Sequence, residues 1–82
     1  MKLYRSWREA PGVPEAWSPT HPQRLRKIKI KNKALLAALR AARPGRWFKV
    51  YHGGEDGSAI HYCQHESGEV FDVEYHAPKR LR

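Results

Sequence analysis

The sequence predicts an α+β domain in which one main amphipathic helix packs on a three- to four-stranded antiparallel sheet. Three observations predict it. A leucine–alanine segment at 33–43 has helical spacing and a stop signal after it. Three stretches rich in aromatic and β-branched residues follow, separated by glycine-bearing turns. At 82 residues and 9.6 kDa, the chain has material for one hydrophobic core and no second.

Residues 1–23 hold four of the six prolines, Pro11, Pro14, Pro19 and Pro22, together with Trp7 and Trp17. Proline at this density excludes a long helix or a central strand, so an irregular arm with one short turn around residues 5–10 is expected. Its two indoles are costly to leave in water and are expected to cap one end of the core. Residues 24–82 are expected to form the single compact α+β domain. They begin RLRKIKIK (24–31), where Lys27, Lys29 and Lys31 alternate with Ile28 and Ile30. That is the period-2 pattern of a half-buried strand.

Asn32 then offers an N-cap for KALLAALRAAR, whose Leu35, Leu36 and Leu39 share one helical face. Arg40 and Arg43 suit its C-terminal end, and Pro44-Gly45 stops it. RWFKVYH (46–52), SAIHYCQH (58–65) and EVFDVEYH (69–76) read as strands. Gly53, Gly54 and Gly57 mark a loose first connection, Glu66-Ser67-Gly68 a three-residue hairpin, and Pro78 ends the ladder. Such a hairpin sets His65 opposite Glu69, Cys63 opposite Phe71 and His61 opposite Val73. One face then carries His61, Cys63, His65, Phe71, Val73 and Tyr75, and is expected under the helix. The other gathers Lys49, Tyr51, Tyr62, Asp72 and Glu74. A slip of one residue exchanges the faces, so His61 is compatible with either.

Charge narrows the function. Lys and Arg number 16 against 8 Asp and Glu, for a net +8 at pH 7 and a pI near 10.1. Residues 1–46 hold 12 basic and 2 acidic side chains, against 4 and 6 in residues 47–82. Four of the five histidines lie in the second part. Clustered basic charge is the footprint of a nucleic-acid binder, although basicity alone also fits a solubilising surface or contact with an acidic protein. No apolar run approaches the ~18 residues of a membrane span, and the N-terminus lacks the apolar stretch of a secretory signal. The single cysteine, Cys63, excludes an internal disulfide and points to a reducing, cytoplasmic setting.

Metal-independent RNA cleavage needs a base for the 2′-hydroxyl, an acid for the leaving oxygen and a cation for the phosphate. His61 and His52 are the candidate acid/base pair, Lys49 the cation, and Asp72 an orienting carboxylate. Lys27, Lys29, Lys31, Lys33, Arg40, Arg43 and Arg46 are candidate phosphate contacts, with Trp47 available to stack on a base. His61 is favoured over His65 at the hairpin tip and His76 at the strand end, since both read as exposed and loosely oriented. No cofactor is expected and no metal site. His61, Cys63 and His65 alternate along a strand at ~3.3 Å per residue, which splays their heads roughly 7 Å apart, too far for one ion. Cys63 reads as a small core residue. Gly57-Ser58 lies between strands and not before a helix, so it is no P-loop, but its backbone N–H groups can approach a phosphate.

Residues 34–77, ALLAALRAARPGRWFKVYHGGEDGSAIHYCQHESGEVFDVEYHA, resemble the small HicA-type messenger-RNA interferase toxins. That family pairs a short amphipathic helix with a three-stranded sheet, in a fold similar to double-stranded-RNA-binding domains, and starts its second strand with Gly-Ser-His. Gly57-Ser58 match the first two positions. Ala59 stands where the family's catalytic histidine would be, and His61 lies two residues on, toward the same face. The family's C-terminal helix has no counterpart and residues 1–33 are extra, so the resemblance covers about half of the chain. The strand-rich part is also loosely similar to the C-terminal ribonuclease domains of colicin-like and contact-dependent bacterial toxins. Both resemblances imply a small RNA-cleaving toxin neutralised by an acidic antitoxin or immunity protein. It would act in the cytoplasm, or be delivered into a target-cell cytoplasm as part of a larger toxin. The alternative is a non-catalytic nucleic-acid-binding or regulatory module of phage or bacterial origin. A toxin resists expression without its partner, and a binding module does not.

Overall fold

Helix α1 (Lys33–Ala42) begins where its cap is expected: the Asn32 side chain accepts the Leu35 N–H at 3.1 Å. It ends one residue before Arg43, whose N–H reaches the Leu39 carbonyl, and Gly45 at φ +131° turns the chain toward the sheet. The computed structural model describes residues 1–20 and 26–78. The arm–domain boundary expected at 23–24 and the basic tail 79–82 lie outside them. Strands β1 (Arg26–Lys29), β2 (Trp47–Gly53), β3 (Ala59–His65) and β4 (Val70–His76) form one sheet in the order β1-β2-β3-β4, each pair antiparallel. With α1 this is the expected α+β arrangement.

The sheet is covered on both faces, by different means, so the chain builds two small clusters where its length leads one to expect a single core. On one, Leu39 of α1 is fully buried against Trp47 and Cys63, with Leu35, Leu36 and Phe71 around them. On the other, Val50, Ile60, Tyr62 and Val70 form a core with Trp17 of the N-terminal segment, bordered by Trp7 and Val13. Trp7 and Trp17 meet edge to face at 5.0 Å, the arrangement aromatic quadrupoles favour. The turn expected near residues 5–10 is a short 3₁₀ helix at Trp7–Glu9. Tyr4 and Val70 exchange two backbone hydrogen bonds of 2.9 and 2.8 Å, so the segment also pairs with the free edge of β4.

Three expectations about the sheet are corrected. First, β1 is exposed throughout and Ile28 keeps 39% of its surface in water, because α1 leaves the strand at the rim and does not cross over it. Second, Tyr51 pairs with His61 and Lys49 with Cys63, which places Lys49 and Tyr51 on the face of His61 and not opposite it. Third, the hairpin closes as expected, with Gly68 at φ +100°, the His65 N–H on the Glu69 carbonyl and Cys63 opposite Phe71, but the pairing then shifts. His61 faces Glu74, not Val73. Asp72, at φ +57°, is the extra residue of a β-bulge. One added residue reverses the alternation, so Val73 and Tyr75 turn into the core beneath the N-terminal segment, while Glu74 and His76 join the face of His61.

Candidate acid–base site and nucleic-acid interface

Because α1 is short and packs over Trp47 and Cys63, the other end of that sheet face stays open. Its residues form a row across all four strands: Arg26 opposite Tyr51, Tyr51 opposite His61, and His61 opposite Glu74. The Tyr51 and His61 rings lie 4.3 Å apart, edge on. His76 pairs in the adjacent row with Ala59, which brings its ring to 4.6 Å from that of His61. A Glu74 carboxylate oxygen lies 3.7 Å from His76 Nε2. The Arg26 guanidinium stands 5.9 Å above the Tyr51 ring.

His61 is half-buried, and burial is the main reason its pKa falls below the ordinary imidazole value of 6.5. The charges of His76 and Lys49 push the same way, and Glu74 offsets part of the effect. The ring is therefore held neutral near pH 7, the state in which imidazole accepts a proton. Lys49, opposite Cys63, lies two residues nearer the helix end on the same face, where an ammonium can meet phosphate charge. Two imidazoles, an ammonium and a carboxylate thus share one open surface.

Not every expected member belongs to it. His52 lies on the opposite face, 4% exposed, with Nε2 2.9 Å from the Tyr62 hydroxyl and Trp7 and Trp17 packed around the ring. It cannot pair with His61. The imidazole beside His61 is that of His76, which its strand-end position makes the weaker candidate in sequence. Burial raises the Tyr62 pKa to about 12, so its hydroxyl stays a hydrogen-bond partner for His52. Asp72 stands at the bulge beside Lys2, Tyr4 and Pro11, and no hydrogen bond among the described residues joins it to His61. Glu74 is the carboxylate that faces the histidines.

Trp47 is 4% exposed and donates its indole N–H to the Arg43 carbonyl at 2.9 Å, so it is a core residue and not a stacking surface. Tyr51 is the aromatic on the open face. His65 is buried as well, not exposed at a tip: the Ser67 N–H donates to Nδ1, and Nε2 lies 2.9 Å from the Pro44 carbonyl. Cys63 is fully buried, and burial pushes its thiol pKa up, as suits a core residue. The Ser58 hydroxyl is held between the Trp17 indole N–H and the Asp56 carboxylate, so the Gly57-Ser58 turn serves the core beneath the N-terminal segment. Among the described residues no three His, Cys, Asp or Glu side chains cluster as metal ligands.

The cations gather more fully. Lys29, Lys31, Lys33, Arg40 and Arg46 line one groove of about 500 Å³ along the β1–α1 edge, with Phe48 at its side. Lys27, on the same side of β1 as Lys29 and opposite Val50, lies outside the groove's lining. Arg43 is engaged by Glu69 at 2.8 Å. The groove shares Lys29, Ile30 and Lys31 with a second depression that reaches Lys49 and Tyr51, so the basic path runs into the open histidine face. No helix among the described residues is long and apolar enough to cross a membrane.

The Tyr51–His61–His76 grouping depends on β2–β3 register and on the bulge, and only Lys49 and His61 of the site are legible in the sequence. Comparison with protein-family models, with curated proteins and with solved structures finds no match for this chain.

Proposed function

We propose that this protein is a small ribonuclease that binds single-stranded RNA along the β1–α1 groove and cleaves it on the open sheet face without a metal ion. The observation that carries the reading is the His61–His76 pair, 4.6 Å apart on an exposed surface beside Lys49. Neutral His61 takes the proton from a ribose 2′-hydroxyl, and the 2′-oxygen forms a bond to phosphorus. The bond from phosphorus to the 5′-oxygen breaks, and that oxygen takes a proton from the His76 imidazolium. Lys49 meets the charge that builds on the phosphate oxygens. The products are a 2′,3′-cyclic phosphate and a free 5′-hydroxyl, and solvent exchange resets the two rings.

In-line displacement requires the two imidazoles to flank the phosphate. The His76 side chain is 52% exposed near the end of the last strand and has room to rotate away from His61. Glu74 then orients it as a positioning residue. The surplus of basic charge suits an acidic antitoxin or immunity protein as the neutralising partner. Incubating the purified protein with RNA and with its 2′-deoxy counterpart tests the reading: RNA is cut to cyclic-phosphate ends and DNA is left intact. Bound but uncut RNA would leave the non-catalytic binding module instead.

A further inference from the structure

The depression beside Tyr51 takes no part in the proton transfers above. Ile28, Ile30 and Leu35 wall it, Tyr51 closes the side next to His61, and Lys49 stands at the border between the two. Its volume of about 500 Å³ lies within the ~300–1,000 Å³ typical of small-ligand sites. Ile28 is 39% exposed in a strand whose other residues are all cationic, an apolar side chain facing water in the wall of this depression.

We infer that this depression is a nucleobase subsite, which holds one unpaired base of the RNA strand while its sugar-phosphate lies at His61 and His76. The inference rests on the ribonuclease reading and adds a specificity element to it. Every nucleobase has a flat apolar face, and proteins that bind single strands stack such faces on aromatic and guanidinium planes. Tyr51 and Arg26 supply those planes at one end of the depression, and the isoleucines and Leu35 supply an apolar floor. Tyr51 is shared. One side of its ring lines the depression, and its contact with His61 at 4.3 Å fixes how far a seated base lies from the acid–base pair. Lys29 and Lys31 border both hollows, so the phosphates that follow the seated nucleotide continue into the groove. Double-stranded RNA keeps its bases stacked inside the helix and cannot present one to this site.

Isotope-labelled protein titrated with inorganic phosphate, with 3′-mononucleotides and with a trinucleotide tests this directly by amide chemical shifts. Phosphate is expected to move the signals of His61, His76, Lys49 and the groove cations but not those of Ile28 and Leu35, which nucleotides move as well. The trinucleotide is expected to bind more tightly than the mononucleotides, since it also engages Lys29 and Lys31. Two variants at an exposed position, Ile28→Trp to fill the depression and Ile28→Asn to remove its apolar wall, should weaken nucleotide binding by roughly five- to a hundredfold and leave phosphate binding unchanged. Nucleotide shifts confined to the histidines, or nucleotide affinity unaltered in both variants, would overturn the subsite while the cleavage reading stands. Equal affinity for mononucleotide and trinucleotide would overturn the assignment to an RNA strand. Shifts at Ile28 and Leu35 in a protein that cuts nothing would support the subsite and sink the cleavage reading.

Discussion

His52 and His61 sit in neighbouring rows on opposite faces of one sheet, and burial lowers the pKa of both. Around His52 are two tryptophans and a tyrosine, its Nδ1 has no partner among the described residues, and the nearby Arg8 lowers its pKa further. Around His61 are a second histidine, a lysine and a carboxylate, on a surface that a phosphate can reach. The same direction of shift thus marks a core residue in one place and a candidate base in the other. A depressed pKa points to chemistry only where access and a second proton-transferring group accompany it.

Removing each histidine in turn separates a core role from a catalytic one. His61→Ala and His76→Ala are each expected to lower RNA cleavage by about 10²–10⁴-fold while the melting temperature stays close to that of the parent. His52→Ala is expected to do the reverse, with a lower melting temperature and a normal rate per folded molecule. A folded His52→Ala protein that no longer cuts RNA would end the assignment.

The next largest effect belongs to the covering of the faces. Trp17→Ala opens the core beneath the N-terminal segment and is expected to cost about 3–5 kcal/mol in urea unfolding. Ile28→Asn, at the uncovered rim, should stay within about 0.5 kcal/mol. Equal destabilisation by the two would mean that the rim is packed as firmly as the core.

Reversing Lys29 and Lys31 to Glu should weaken RNA binding and flatten the dependence of log K on log[salt], by about 0.7 for each phosphate that is no longer neutralised. Lys27→Glu, farther along β1 and outside the groove's lining, should do less. An unchanged salt slope in the Lys29/Lys31 variant would exclude the groove as the phosphate path.

The pH dependence is smaller. His52 and His61 both have folded-state pKa values below the ordinary 6.5, so below that pH the unfolded chain binds more protons than the folded one. Stability from both groups is therefore complete above pH 6.5 and is lost as pH falls toward their folded values. The slope is at most about 1.4 kcal/mol per pH unit for each group. His52→Gln should remove its share of the slope in denaturation curves between pH 7 and 5. The smallest expected effect is none: EDTA leaves the cleavage rate unchanged, since two imidazoles and an ammonium supply every proton and charge the reaction needs. Loss of activity in EDTA, restored by a divalent ion, would replace the histidine mechanism.

Much of the architecture is legible in local chemistry. Asn32 caps the helix because its side chain reaches the third N–H beyond it, and Pro44-Gly45 ends it because neither residue favours the helix interior. The three aromatic and β-branched stretches are β2, β3 and β4, and the Glu66-Ser67-Gly68 turn closes with glycine at positive φ. The site is legible only in part. The residue types of His61 and Lys49 mark them in the sequence, but its alternation sets them on opposite faces and the β2–β3 register brings them onto one. The strand-end position of His76 hides its proximity to His61, and His52, Trp47 and Asp72 do not occupy the surface that their residue types suggest.

Local chemistry along the chain fixes the set of elements, their order, the apolar stripe of α1 and the concentration of cations before residue 47. These follow from interactions spanning a few residues: caps, turn conformations, periodicity and net charge. Which side chains share a face was decided by tertiary structure. Strand side chains alternate with a period of two, so one bulged residue at Asp72 moves Glu74 and His76 to the side of His61, and the β2–β3 register moves Lys49 and Tyr51 there with them. Both registers of β4 alternate equally well in isolation. The tertiary arrangement favours the one that buries Val73 and Tyr75 beneath the N-terminal segment, against the core that Trp7, Val13 and Trp17 complete, and the histidine pair is the consequence on the opposite face.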